Sequence, residues 1–202
     1  MEAPDFEERD VGRIVAFTDG VMAVAITLLV LNIEVPRLPG TDERRLEDEL
    51  ADLLPSLLAY LLSFALVGQY WVVHHSLFEN LRSFDRALMG LNLTFLALIA
   101  LVPFASELID RYEQEPVAAA VFAGILGLAA LTNVLMVRYI ARRRFLRAPR
   151  PGPPEPFPGA VSLAIALVFL LSIPVAYLSV TAAKLLWLLV LVFRYPLRRI
   201  GT

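Results

Sequence analysis

Apolar residues run along this chain in blocks of membrane length, separated by short polar or proline-rich stretches. The first block, 13–35, reads RIVAFTDGVMAVAITLLVLNIEV. At about 1.5 Å of rise per residue it is long enough to cross a hydrocarbon core of roughly 30 Å. Five further blocks, at about 53–73, 87–105, 116–137, 160–180 and 182–193, predict an all-α integral membrane protein. Its six transmembrane helices form a single domain over 1–202, arranged as three hairpins.

Breakers and caps set the boundaries. Pro36-Arg37-Leu38-Pro39-Gly40 stops the first helix, because neither proline supplies an amide hydrogen to continue it. Thr41 then caps a polar, acid-rich stretch that leads into the second span, with Pro55 in its first turns, where a missing amide costs least. Pro103 lies near the end of the third span, and a tight bend between Pro174 and Thr181 separates the last two. The Arg- and Pro-rich run RYIARRRFLRAPRPGPPEPFPG is the one plausible linker. The acidic start MEAPDFEERD lacks the basic region of a signal peptide, so the first block is expected to remain as a mature helix.

The first span has two faces. With Val24 as zero and about 100° per residue, Arg13, Phe17, Gly20, Thr27, Leu28, Leu31 and Val35 fall within roughly 60° of it. Asp19 points to the other side, roughly 140° away. The stripe is apolar apart from the arginine at its start and one threonine hydroxyl.

Composition supports the membrane class: 58% of residues are hydrophobic and the mean hydropathy is +0.67, above the apolar share of about 45–50% typical of soluble domains. No basic, aromatic-interleaved soluble tract favours nucleic acid. Cysteine is absent, so disulfides and thiolate metal sites are excluded. Placing the N-terminus inside leaves only Arg37, Arg44, Arg45, Arg111 and Lys184 outside, so the positive-inside rule puts both termini in the cytoplasm of a multi-pass cell-membrane protein.

Few residues offer chemistry. Asp19 is ionisable within a span and must find donors on neighbouring helices, with Trp71, His74 and His75 as the candidates. Asn32 and Glu34, at the outer end, read as ordinary interfacial residues. His74 and His75 are adjacent, about 100° apart on a helix, and lack the i,i+4 spacing of a metal pair, so no metal is expected. No nucleophile has a partnered base, which argues against an enzyme. A secondary transporter of a small ion or solute is the alternative, although the stretch Val24 to Leu31 carries no ionisable residue near mid-membrane. The Arg-rich linker reads as positive-inside bias first and as a site for anionic lipid headgroups second.

RIVAFTDGVMAVAITLLVLNIEVP resembles the first-helix signature of the transmembrane-protein-175 family, the bacterial relatives of the lysosomal potassium channel, whose pattern is R-x-x-x-F-S-D-G followed by an A-I-T-L-L-V-L-like run. Trp71, His74, His75 and Phe78 form a W-x-x-H-H-x-x-F stretch similar to that family's second span. The resemblance makes Arg13, Phe17, Thr18, Asp19 and Gly20 part of a structural motif, with Thr18 in place of the usual serine. It implies a homotetrameric potassium-permeable channel whose first helices surround a central pore. Val24, Thr27, Leu28 and Leu31 match the pore-lining positions, Val24 standing where isoleucine is common. The implied partners are further copies of the chain, the bilayer and permeant K+, with no cofactor. A T-V-G-Y-G segment is absent, so selectivity does not come from carbonyl rings of that kind.

Overall fold

The computed structural model describes residues 8–34, 48, 50–146 and 158–192. Val35, the stop at 36–40, Thr41, the linker from 147 to 157 and Phe193 lie outside the described residues. Within them the chain is helical, with one isolated bridge pairing Leu81 and Leu146. The helices are α1 (Glu8–Leu28), continued by a 3₁₀ turn (Leu29–Asn32), α2 (Leu54–Phe78), α3 (Arg86–Ala100), α4 (Val102–Arg111), α5 (Pro116–Arg143), α6 (Pro158–Ala176) and α7 (Val180–Val192).

Five helical paths are long and apolar enough to cross a membrane: Val11–Asn32, Leu50–Phe78, Arg86–Arg111, Pro116–Arg143 and Gly159–Ala176. The third is α3 and α4 end to end. Pro103 has no amide for the carbonyl four residues back, so the path bends at Leu101 and Leu101 N donates to Leu98 O at 3.2 Å. Helix resumes from Val102, and the path reaches Arg111, past the end near 105 that the sequence suggests. The last helix, α7, is shorter, with 13 residues, or about 20 Å at 1.5 Å per residue. Ser179 caps it, its hydroxyl accepting from the Ala182 amide at 3.2 Å.

Helix α5 is the centre of the fold. In its most apolar window 61% of residues are buried, against 28% for α1 and 17% for α2. Small residues make this possible: Ala118, Ala119, Ala123, Ala129 and Ala130 are all buried, letting neighbours approach closely. At Gly127 an added Cβ would stand 2.9 Å from Leu170 Cδ2 on α6. Polar groups are paired across the bundle: Tyr70 OH donates to Leu126 O at 2.5 Å, Trp187 Nε1 to Ser172 Oγ at 2.8 Å, and the hydroxyls of Ser63 and Ser106 meet at 2.9 Å. In hydrocarbon each lost pairing would strand a donor or acceptor.

One end of the bundle is closed by Asp85. Its Oδ1 caps α3 by accepting from the Leu88 amide at 2.9 Å, while Oδ2 accepts from Tyr139 OH at 2.6 Å and Arg143 Nη2 at 3.3 Å, both on α5. Arg144 ends α5 with φ of 57°, and Arg82 N donates to Phe145 O at 2.8 Å. Asp85 is 3% exposed. Burial alone would raise its pKa, but the bonds from Tyr139, Leu88 and Arg143 outweigh it and hold the carboxyl below the ordinary value.

Asp85→Ala should lower stability by about 1–3 kcal/mol, read as thermal unfolding in detergent. Asp85→Asn, which keeps a cap but not the charge, should fall between. Because the folded-state pKa is depressed, the stability the charge adds is complete above the unfolded value of about 3.9 and fades as pH falls through the lower folded value. The gap between wild type and Asp85→Asn should therefore close in acid, and a gap unchanged down to that range would contradict the assignment.

Candidate functional site

The two faces of α1 have separate fates in the fold. Val11, Ile14, Thr18, Met22, Ala25 and Leu29 are buried against the rest of the chain, a row spaced by three or four residues. The opposite side stays open: Arg13, Gly20 and Thr27 are exposed, as are Phe17 at 54%, Val24 at 57%, Leu28 at 42% and Leu31 at 73%. A Cβ added at Gly20 would meet no neighbouring atom. Beside this stripe lies an apolar groove of about 440 Å³ lined by Phe17, Gly20, Val21, Val24, Ala25, Leu28 and Ala100.

Two local features shape the stripe. Thr27 Oγ1 donates to Val24 O at 2.9 Å, which uses its hydrogen inside the helix and leaves the oxygen lone pairs facing outward. From Leu29 the backbone tightens into the 3₁₀ turn, in which residues three apart eclipse. Leu31 therefore stacks over Leu28 more closely than in a straight α-helix. The end of the turn is pinned by Asn32 Nδ2, which donates to Pro103 O at 2.9 Å.

The rear of α1 is held by a polar network, which the sequence-derived motif residues largely supply. Asn92 Nδ2 on α3 donates to Thr18 Oγ1 at 3.0 Å, and its Oδ1 lies 2.8 Å from His74 Nε2 on α2. With the Asn92 amide nitrogen directed at Thr18, its oxygen faces the imidazole, so Nε2 carries the proton and donates. The His74 ring is packed between Phe78 and Phe95, with centroids at 4.1 and 4.8 Å. Beside it Trp71 Nε1 donates to Asp19 Oδ1 at 2.8 Å. Trp71 also stacks on His75 at 5.0 Å, and His75 Nδ1 sits 3.9 Å from Asp19 Oδ1, too far for a hydrogen bond. Asp19 thus takes its donor from Trp71. His74 bonds elsewhere, and the two histidines serve different partners.

Asn92 is the member of this network that sequence reasoning missed. Its signal was available: one amide in the otherwise apolar run Leu88 to Ala100, interrupted only by Asn92 and Thr94 among polar side chains. Buried amides in a membrane span need a partner.

Asp19→Ala should lower assembly and thermal stability by about 1–3 kcal/mol, because it strands the Trp71 indole hydrogen in a low-dielectric setting. Ion selectivity of the assembled protein should be unchanged. A variant that assembles normally and loses selectivity alone would move Asp19 from the scaffold to the ion path.

Three comparisons bear on the site. The profile of the endosomal/lysosomal potassium channel TMEM175 family matches residues 13–103, which hold most of α1, all of α2 and α3, and the whole polar network. A potassium channel of Streptomyces collinus is 36% identical over 173 residues, covering 83% of each chain. One of Chamaesiphon minutus is 44% identical over 139 residues, 67% of this chain and 68% of that one. In three dimensions the fold is similar to the crystal structure of a lysosomal potassium-selective channel TMEM175 homolog from Chamaesiphon minutus, with a TM-score of 0.76, 30% identity, and coverage of 92% of this chain and 96% of that one.

Proposed function

Because this chain belongs to the TMEM175 family, we infer that it is a potassium channel in which the exposed face of α1 lines the ion path. It conducts potassium passively, catalyses no reaction and needs no cofactor. The observation that carries the reading is the division of α1: one face is buried and hydrogen-bonded to its own chain, while Val24, Thr27, Leu28 and Leu31 are left aligned and uncovered.

Four copies around an axis supply the missing cover. Each exposed position then becomes a ring, and each substitution acts four times. Leu28 and Leu31, stacked by the 3₁₀ turn, form an apolar constriction that holds back ions by dewetting, whereas Thr27 turns hydroxyl oxygens toward the path to replace part of an ion's water shell without trapping it by charge. A helix facing lipid gains nothing from such alignment. Arg13, Phe17 and Gly20 extend the same face toward the N-terminal end. The whole chain acts as one channel domain in the cell membrane, with both termini cytoplasmic, a topology supported by the arginines gathered at Arg82, Arg86, Arg138, Arg142, Arg143 and Arg144.

Leu28→Ala and Leu31→Ala should each raise single-channel conductance and weaken potassium preference over sodium, measured by reversal potentials under unequal ions in liposomes. Ile26→Ala, partly buried on the packed side, should change neither. With no native cysteine to interfere, silver or a thiol reagent should block current at Leu31→Cys and spare Ile26→Cys. Equal block at both positions, or at neither, removes α1 from the ion path.

Single cysteines at Glu115 and Arg82 should be labelled by an impermeant reagent from opposite sides of intact cells, Glu115 from outside. Labelling of both from outside would overturn the topology.

A further inference from the structure

The most buried helix of the bundle is open along one narrow strip, and that strip ends in two arginines. Between Ala118 and Val137 on α5 only Leu128 and Leu135 are exposed, at 50% and 52%. With Leu135 as zero and about 100° per residue, Gly124, Leu128, Leu131, Arg138 and Arg142 all lie within roughly 60° of it. A Cβ added at Gly124 would meet no neighbouring atom, so nothing of the chain covers the strip there. From Leu128 to Arg138 the rise is about 15 Å, half of a hydrocarbon core of roughly 30 Å. The strip is one leaflet deep, apolar along its length and cationic at its end.

That cationic end has no acid on its own helix, since α5 contains neither aspartate nor glutamate. Arg138 and Arg142 are exposed and one turn apart, a spacing at which like charges repel. Arg82, Arg86 and Arg144 are exposed at the same end, which the Leu81–Leu146 bridge and the bond from Arg82 N to Phe145 O draw together. Of the two acids between α2 and α3, Asp85 is buried and engaged by Arg143 and Tyr139, and Glu79 is exposed. Among the described residues none of these five arginines is in an ion pair, whereas Arg111 has carboxylates at 3.1 and 3.8 Å.

We propose that this strip of α5 binds one anionic phospholipid, its phosphate held by Arg138 and Arg142 and an acyl chain laid along Leu135, Leu131 and Leu128. Guanidinium groups offer paired N–H donors that match phosphate oxygens, and an anion between the two arginines relieves their repulsion. Arg82, Arg86 and Arg144 add a positive field that favours a headgroup of net negative charge over a zwitterionic one. The leucines favour a lipid over a free phosphate, which has nothing to lay in an apolar strip. This site does not depend on the ion path along α1.

The test is lipid retention by the full chain in detergent, counted per chain by native mass spectrometry after equal additions of phosphatidylglycerol and phosphatidylcholine. Wild type should retain phosphatidylglycerol about tenfold over phosphatidylcholine. Arg138→Gln combined with Arg142→Gln should abolish that preference, and Leu128→Ser combined with Leu135→Ser should lower retention of both lipids. Arg111→Gln, outside the strip, should keep the wild-type ratio. Glycerol phosphate, which has the headgroup chemistry without acyl chains, should fail to displace the lipid. Equal retention of the two lipids by wild type overturns the site, whether or not any variant folds. A preference that survives in the double arginine variant, or falls equally in Arg111→Gln, also overturns it, as general attraction to the charge of the protein. Displacement by glycerol phosphate overturns the lipid and leaves a site for soluble anions.

Discussion

The fold turns on one constraint: a helix that leaves a whole face uncovered by its own chain must be held by the other face alone. For α1 that hold is a line of apolar contacts, Met22, Ala25 and Leu29, crossed by two polar ties, Thr18 to Asn92 and Asp19 to Trp71. Apolar packing does little to orient a helix in lipid, since acyl chains are as apolar as leucine. A hydrogen bond in hydrocarbon has direction, and its loss leaves a group with no water to turn to. The rotational setting of the Val24, Thr27, Leu28 and Leu31 face is therefore fixed from behind, by residues that never touch it.

This explains why polar residues are so concentrated near one end of α1, α2 and α3. Thr18, Asp19, Trp71, His74, His75 and Asn92 occupy one level of the bundle. The aromatic rings of Phe78 and Phe95 wall the imidazole of His74 from lipid, and Asn92 is itself fully buried. The site is a scaffold for geometry, and its chemistry lies in what it makes the exposed face do.

Much of this was legible from residue order. Helical phase alone separated Asp19 from the Val24 stripe, and an acid inside a span announces a need for donors, which Trp71 meets. Other features carried no such signal. Nothing in Leu29-Val30-Leu31-Asn32 itself breaks an α-helix, and the 3₁₀ turn there ends on the residue that reaches Pro103. Asn32 read as a solvated interfacial residue because its partner lies on a distant segment. Pro103 suggested an end to the third span, yet the path bends and continues, since neighbouring helices support the freed backbone. Asp85 drew no reading from the sequence, although an acid just before Arg86 is the type of residue that caps a helix, and its ties to Tyr139 and Arg143 depend on α5 returning to the same end.

The bend at Leu101 has a mechanical meaning. The first helix is bolted to the third path at two levels, to α3 through Thr18 and Asn92 and to α4 through Asn32 and Pro103. The joint between α3 and α4 lies between those bolts. Any flexing there shortens or lengthens the distance between them, and the segment spanning that distance on the other side is Val24 to Leu31. The 3₁₀ turn Leu29–Asn32 lies at the second of those bolts, and its rise of about 2.0 Å per residue, against about 1.5 Å for an α-helix, lengthens the first helix where it reaches Pro103.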